Sequence, residues 1–331
     1  MNGEAVSLLG PHGVYSSAKI VFDNVAKKFG LVRKDLVPSL ETIKPLYCSK
    51  TKLIWYMPVK QEKRNLYLVN LPIFALEAWE MKLRNVPFII CEESLLKSGI
   101  KKTIVSSLLK IFKNVPFICL TKKTHLFLDG LGIDALLLPP ATKKRRGHDR
   151  RKFLLFVGRA EESKNPMFFI RLAEIMKNEK FVLIGKGRLE ESIKQKCNGI
   201  DNIEYIPFLD DKEKLFDYFG KAKIVIHPAK TDPIGLVVIE ALSTSTPVLS
   251  SFGTGASDYL PDEWVMGNFN EKEWVEKIEK MIKEQGKNSA LAGEIFEKGH
   301  HDIDDPYLKN MANELEKRLK RRWPHLRSSE L

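Results

Sequence analysis

Between Thr231 and Leu242 the chain reads T-D-P-I-G-L-V-V-I-E-A-L, with Asp232 ahead of a proline and Glu240 inside the apolar run behind it. A helix that opens near Gly235 turns its free N–H groups outward, and that end of a helix favours an anion. Glu240 then stands about one and a half turns in, roughly 7–8 Å along the axis. Helical side chains lean back toward the N-terminus, so its carboxylate reaches groups beside a bound phosphate, a ribose diol among them. Asp232 lies across the break, on the side where a sugar would be. The spacing suits a nucleoside diphosphate that carries a sugar.

Two other stretches have the same character. F-V-G-R-A-E-E-S-K places Gly158 and Arg159 after a strand-like run and Lys164 five positions on, beside a helix start. Two cations at that place form a natural phosphate pocket. V-L-I-G-K-G-R places Gly185, Lys186 and Gly187 after the next run, where glycine lets a ligand come close to the backbone. Each residue also has a plainer reading. Arg159 and Lys164 read alone as solvated charges, and the glycines as an ordinary turn. Asp232 reads as the cap of a turn before Pro233, and Glu240 as an exposed helix residue. Their order, each just past a strand, favours a site.

Short apolar runs alternate with amphipathic ones along the chain, which predicts parallel sheets with crossover helices. In the first half, strands are expected at 5–9, 53–57, 66–70, 87–91, 116–120 and 135–140, with a helix from about Ser17 to Phe29. In the second half they are expected at 153–158, 181–185, 203–207, 223–228 and 247–251, with helices at 165–176, 214–220 and 236–242. K-K-R-R-G-H-D-R-R-K, residues 143–152, marks the sharpest change in composition and reads as a solvated basic linker. The expected plan is α/β, with two Rossmann-like domains facing each other across a cleft. Residues 1–142 form the first, 153–305 the second, and 306–331 a helix that returns to the first. Ligands in such sheets sit beyond the carboxyl ends of the strands.

Taken together, the motifs resemble the donor domain of the retaining, GT-B-fold glycosyltransferases of family four, over roughly residues 153–260. That family's G-R-x-x-x-x-K element corresponds to Gly158, Arg159 and Lys164, and its later G-x-G to Gly185 and Gly187. Its E-x(7)-E motif corresponds to D-P-I-G-L-V-V-I-E-A, with Asp232 in place of the first Glu and Ile234 in place of a Phe. P-V-L-S-S-F-G-T-G, residues 247–255, corresponds to its small-residue segment. The resemblance implies that Arg159 and Lys164 bind the diphosphate and Asp232 contacts the donor sugar. Glu240 would hold the ribose, Gly235 and Leu236 would offer backbone N–H groups, and Phe208 would lie near the base. It implies a UDP- or GDP-sugar donor, retention of configuration, no metal and no separate cofactor. On the first domain, Gly13 in G-P-H-G-V-Y-S-S would approach the donor phosphate, and His12 and Glu92 are acceptor-side candidates.

Charge is unevenly spread over the 331 residues. The net +12 arises wholly from residues 1–152, with 27 basic against 12 acidic residues, whereas the remainder has 27 against 30. Such a half calls for an anionic partner. G-I-K-K-T-I-V-S-S-L-L-K-I-F-K, residues 99–113, draws as a basic amphipathic helix, suited either to an anionic bilayer or to covering a sheet. A lipid-linked acceptor, or an acidic glycan, is the expected partner, and nucleic acid is not, since no stacking motif accompanies the charge. Four isolated Cys without a C-x-x-C pair fit a reducing compartment, and no signal peptide or spanning run is visible. The expected location is cytoplasmic or peripheral at a membrane. His300 and His301 read as a surface pair at a helix end. Two other readings remain: an epimerase or dinucleotide enzyme on twin Rossmann domains, and a non-catalytic scaffold that binds anionic surfaces.

Overall fold

The computed structural model describes residues 4–8, 32–35, 45–48, 53–56, 66–69 and 117–322, apart from Pro233. It divides into two compact units, Met1–Pro140 with Asp305–Leu331, and Ala141–Asp304.

In the first unit, β1 (Glu4–Leu8) pairs in parallel with β2 (Val32–Asp35) and, on its other side, with β5 (Leu66–Val69). β3 (Pro45–Cys48) and β4 (Leu53–Tyr56) form an antiparallel pair. This corrects the expectation of parallel strands throughout. The connection between them is short, and short connections join antiparallel strands. β6 (Phe117–Cys119) and β7 (Ala135–Leu137) pair in parallel across α1 (Lys122–Asp129). Thr121 caps α1 by accepting the Thr124 N–H. The expected strand at 87–91 and the expected helices at 17–29 and 99–113 lie outside the described residues.

The second unit is built on one six-stranded sheet. Its strands are β8 (Phe153–Val157), β9 (Phe181–Ile184), β10 (Ile203–Ile206), β11 (Ala222–His227), β12 (Val248–Ser251) and β13 (Val265–Met266). Every pairing is parallel and the order is β10-β9-β8-β11-β12-β13. The order reverses between β8 and β11, the switch point at which doubly wound sheets bind ligands. β8, β9 and β12 are buried at every position, so both faces of the sheet are covered and the strands read as unbroken apolar runs.

The crossovers are α2 (Pro166–Ile175), α3 (Glu190–Cys197), α4 (Lys212–Lys221) and α5 (Leu236–Leu242). α2 starts with Pro166 at its first position, where a missing N–H does no harm. Asp211 caps α4 through the Glu213 and Lys214 amides. α6 (Glu271–Lys283) and α7 (Gln285–Lys298) follow β13. α6 buries Trp274, Ile278 and Met281, three positions that share one helical face. Trp274 packs edge-on against Phe168, with ring centroids 5.2 Å apart, which ties α6 to α2.

The basic segment 143–152 is strapped to this unit, where a solvated linker was expected. Arg145 N–H donates to the Ser243 carbonyl and Lys152 N–H to that of Lys221, at 2.9 and 2.7 Å. Arg145 also lies over the Phe216 ring, 3.6 Å from its centroid, and pairs with Glu213 at 2.9 Å. His301 is fully buried, edge-on to Tyr259 at 4.7 Å between ring centroids, so the surface reading of the histidine pair fails at this member. The last helix, α8 (Pro306–Arg322), belongs to the first unit. There the Tyr307 hydroxyl donates to the Leu137 carbonyl at 3.0 Å, and Arg318 pairs with Asp134 at 2.8 Å.

Gly185 has φ +147°, and a Cβ there would stand 1.7 Å from the Gly158 carbonyl oxygen. Gly185→Ala is expected to lower unfolding free energy by about 2–4 kcal/mol, through backbone strain and overlap together. Gly199, with open space around it, is the matched control, and Gly199→Ala should change it by no more than about 0.5 kcal/mol. Chemical denaturation of both variants measures this.

Candidate functional site

The loops that leave β8 and β11 meet at the switch point. Thr231 N–H donates to the Ser163 carbonyl at 3.1 Å, and Lys230 pairs with Glu162 at 3.3 Å. Between them, Lys164 Nζ lies 2.6 Å from Asp232 Oδ2, with both side chains about nine-tenths buried. His227, the last residue of β11 and fully buried, brings Nε2 to within 3.1 Å of the same oxygen. Gly235 N–H donates to Asp232 Oδ1 at 3.0 Å. The backbone of Asp232 is tied as well, its N–H to the Gly253 carbonyl at 2.9 Å and its carbonyl to Gly255 N–H at 2.8 Å.

Electrostatics follow from these contacts. Burial alone would raise the Asp232 pKa. The hydrogen bond and electrostatic pull of His227, with the ammonium of Lys164, outweigh it and hold the carboxyl well below the usual range. Asp232 therefore remains a carboxylate. It serves both readings of the sequence at once, since Oδ1 closes the turn before the helix while Oδ2 holds the lysine.

Glu240 sits on α5, half-buried. Its carboxylate has no hydrogen-bond partner among the described residues. Desolvation pushes its pKa up to about 7, against the opposing pull of Lys212 and Arg145. Such a group favours a neutral state or a ligand that donates hydrogen bonds to it.

Other expected residues fall differently. Arg159 is more than half exposed and rests on Glu161 at 2.9 Å, apart from the Lys164–Asp232 pair. Gly185 and Gly187 are glycines for a reason other than ligand approach. The loops after β8 and β9 press together there, with Gly158 N–H on the Ile184 carbonyl and Ala160 N–H on the Lys186 carbonyl, both at 3.0 Å. Lys186 Nζ stands 4.1 Å from the centroid of the exposed Phe208 ring, so this cation and this aromatic form one surface platform. Gly235 has φ +76° and no room for a side chain beside Thr254. Its amide, expected to face a phosphate, is instead committed to Asp232. Leu236 follows as the first residue of α5 and is partly exposed. Gly13, His12 and Glu92 lie outside the described residues. His227 is the residue that sequence reading missed. Its signal was a polar side chain at the end of an apolar strand, five positions before an acid. Among the described residues no cluster of His, Cys, Asp and Glu is arranged to hold a metal.

The raised Glu240 pKa carries a pH dependence. The folded state holds this proton up to about pH 7, while an unfolded chain releases it near the ordinary 4.5. Stability contributed by the neutral form is full below 4.5 and is lost as pH rises through 7. Thermal melting at pH 5 and pH 8 should show a drop for the native chain and a smaller one for Glu240→Gln. Equal drops in the two proteins would mean that Glu240 titrates normally.

Residues 140–296 match the glycosyl transferases group 1 family. An uncharacterized glycosyltransferase of Methanocaldococcus jannaschii is 28% identical over 120 residues, 35% of this chain and 31% of that protein. A D-inositol 3-phosphate glycosyltransferase of Paenarthrobacter aurescens is 22% identical over 193 residues, 50% of this chain and 46% of its own length. The chain thus spans 31–46% of the length of these curated relatives. Among solved structures, Anabaena HepE in complex with UDP superposes with a TM-score of 0.67 at 13% identity, covering 96% of this chain and 100% of that one. Sucrose-phosphate synthase from Thermosynechococcus elongatus gives 0.62 at 17% identity, over 77% of this chain and 73% of its own. These neighbours share the GT-B fold. Residues 140–296, which hold the buried Lys164–Asp232 pair at the switch point, are thus similar to the glycosyl transferases group 1 family.

Proposed function

We propose that the chain is a retaining, metal-independent glycosyltransferase that moves a sugar from a nucleoside diphosphate donor, a UDP- or GDP-sugar, to an acceptor hydroxyl. The observation that carries this reading is the meeting of Lys164 and Asp232 where the strand order reverses, with the unpartnered Glu240 on the helix that follows.

In this reading Glu240 accepts hydrogen bonds from the ribose hydroxyls, which satisfies a carboxylate that the chain itself leaves alone. Lys164 and Arg159 face the diphosphate and offset charge that builds on it as the glycosidic bond breaks. Arg159 is exposed and free to swing from Glu161, since a surface pair of this kind is worth at most about 1 kcal/mol. Asp232 is first a positioning residue for Lys164. A carboxylate has about four acceptor directions, and Lys164, His227 and Gly235 occupy three of them. One remains for a sugar hydroxyl. The Phe208–Lys186 platform suits the base, one by stacking and the other by charge. The acceptor hydroxyl approaches from the face of the leaving phosphate, whose oxygen takes its proton. No cofactor beyond the donor enters this scheme, and the scaffold reading gives Glu240 no comparable use.

The acceptor in this proposal is a glycan or a lipid-linked sugar, reached through the basic residues of the first half. Among the described residues no helix is long and apolar enough to cross a membrane, and the contact proposed is peripheral. Flotation with vesicles of anionic lipid tests it, and absence of salt-sensitive binding removes the membrane from the proposal.

Thermal shift with UDP, GDP, ADP and NAD is the direct test of the donor site. One nucleoside diphosphate is expected to stabilise the native chain, less so Glu240→Gln and Arg159→Ala. Lys164→Ala should abolish the shift, and its own melting temperature must be read beside it. Removing one member of a buried pair costs about 3–5 kcal/mol by itself. Stabilisation by NAD alone, or by none of the four, would overturn the proposal.

A further inference from the structure

The sheet of the second unit has a second edge, where its parallel strands begin. A cleft of about 530 Å³ opens there, lined by Arg146, His148, Arg151, Lys223, Gln285 and Ser289, among others. Arg151 precedes β8 and Lys223 lies at the start of β11, so the cleft is at the opposite end of the strands from Lys164 and Asp232. A volume of this size suits a small organic ligand.

Its charge is poorly balanced. The Arg151 guanidinium donates to the carbonyls of Gly220, Ala222, Thr244 and Ser245 and to the Thr246 hydroxyl, at 2.6–3.4 Å. All five acceptors are neutral, so a half-buried cation has hydrogen bonds but no counter-charge. Arg146 has no ion-pair or hydrogen-bond partner for its side chain among the described residues. Two carboxylates nearby are already engaged. Glu179 holds Lys223 at 2.6 Å, and Asp217 is shared by His148, at 2.9 Å, and Lys221. Asp149 is the one carboxylate that lines the cleft.

Two features show what else a ligand must offer. α7 begins at the cleft wall with Gln285 and Gly286, and no side chain caps its first amides. An uncapped helix start beside cations favours phosphate. Gln285 donates Nε2 to the Lys223 carbonyl at 2.9 Å and to Ser289 Oγ at 3.2 Å, which sets its orientation. Its Oε1 is then buried without any partner. A buried acceptor left alone costs about 1–3 kcal/mol, and an anion cannot relieve it. A hydroxyl can.

We propose that this cleft binds a hydroxylated phosphate monoester. Arg146 and the start of α7 hold the phosphate, the uncompensated charge of Arg151 favours it from the cleft wall, and a ligand hydroxyl donates to Gln285 Oε1. The site is separate from the donor site and does not depend on the glycosyltransferase reading. The same chemistry is offered by a free polyol phosphate and by a lipid headgroup that ends in a phosphate monoester.

Calorimetric titration of the full chain with glycerol phosphate, at constant ionic strength, tests the proposal. Saturable binding is expected, unchanged by saturating uridine diphosphate. Arg146→Ala should weaken it about tenfold or more, as expected for loss of one charge-assisted contact. Gln285→Leu should weaken glycerol phosphate and leave inorganic phosphate unaffected. Arg146 has no partner to lose, so that variant should keep the native circular dichroism spectrum and melting temperature. In parallel, flotation with phosphatidylcholine vesicles, with and without phosphatidylinositol 4-phosphate, which carries both a phosphate monoester and free hydroxyls, separates the two sources. Binding to the phosphatidylinositol 4-phosphate vesicles that Arg146→Ala abolishes assigns the headgroup, and binding of the soluble probe alone assigns a free metabolite. Displacement by uridine diphosphate, equal affinity in native chain and Arg146→Ala, or no binding to soluble probe or vesicle would each overturn the site. Equal loss of glycerol phosphate and inorganic phosphate in Gln285→Leu would overturn the hydroxyl contact.

Discussion

One buried ion pair, Lys164 with Asp232, joins the two loops on which the candidate site depends. Lys164 leaves β8 and Asp232 leaves β11, the two strands that flank the reversal of sheet order. Desolvating two charges is expensive unless further hydrogen bonds satisfy them. Here His227 and the Gly235 amide complete the carboxylate. Because Asp232 also bonds through its backbone to Gly253 and Gly255, the pair fixes the turn into α5 and the segment after β12 together. Glu240 inherits its position from that turn.

The two edges of the sheet solve opposite electrostatic problems. At the carboxyl edge, a cation and an anion neutralise one another, and a second carboxylate is left without a partner. At the amino edge, Arg151 ties the segments before β11 and β12 to the segment before β8 through neutral oxygens. Its charge stays unmatched there. The basic segment 143–152 thus does more than connect. It closes the lower edge of the domain whose upper edge carries the candidate donor site, and its charge makes that lower edge a second candidate for anion binding.

Glycine has two distinct uses here. Gly185 and Gly235 both have φ values open to few other residues, and both sit where another part of the chain presses in, the Gly158 carbonyl on one and Thr254 on the other. The G-x-G spacing is therefore a packing requirement between neighbouring loops in this domain. Any closeness of a ligand to those loops is a consequence of that packing. Arg159, one residue beyond Gly158, escapes it and stays on the surface beside Glu161.

Much of the second domain was written in its residues. Runs such as F-L-L-F-V and F-V-L-I are apolar on both faces, as strands covered by helices are, and L-V-V-I-E-A-L was legible as the helix Leu236–Leu242. The same order of strand ends named Lys164, Asp232 and Glu240 as candidates, because in a parallel sheet the carboxyl ends must gather at one edge. Sequence periodicity could not show which of those ends become neighbours. That depends on strand order, which places β8 beside β11 and so sets Lys164 against Asp232. Nor could it show His227 beneath them, since one polar residue closing an apolar run has no period. The antiparallel β3–β4 pair, the burial of His301 and the docking of residues 143–152 were hidden for a related reason. Each is decided by a partner distant in the chain or by connection geometry, and local composition carries no record of either.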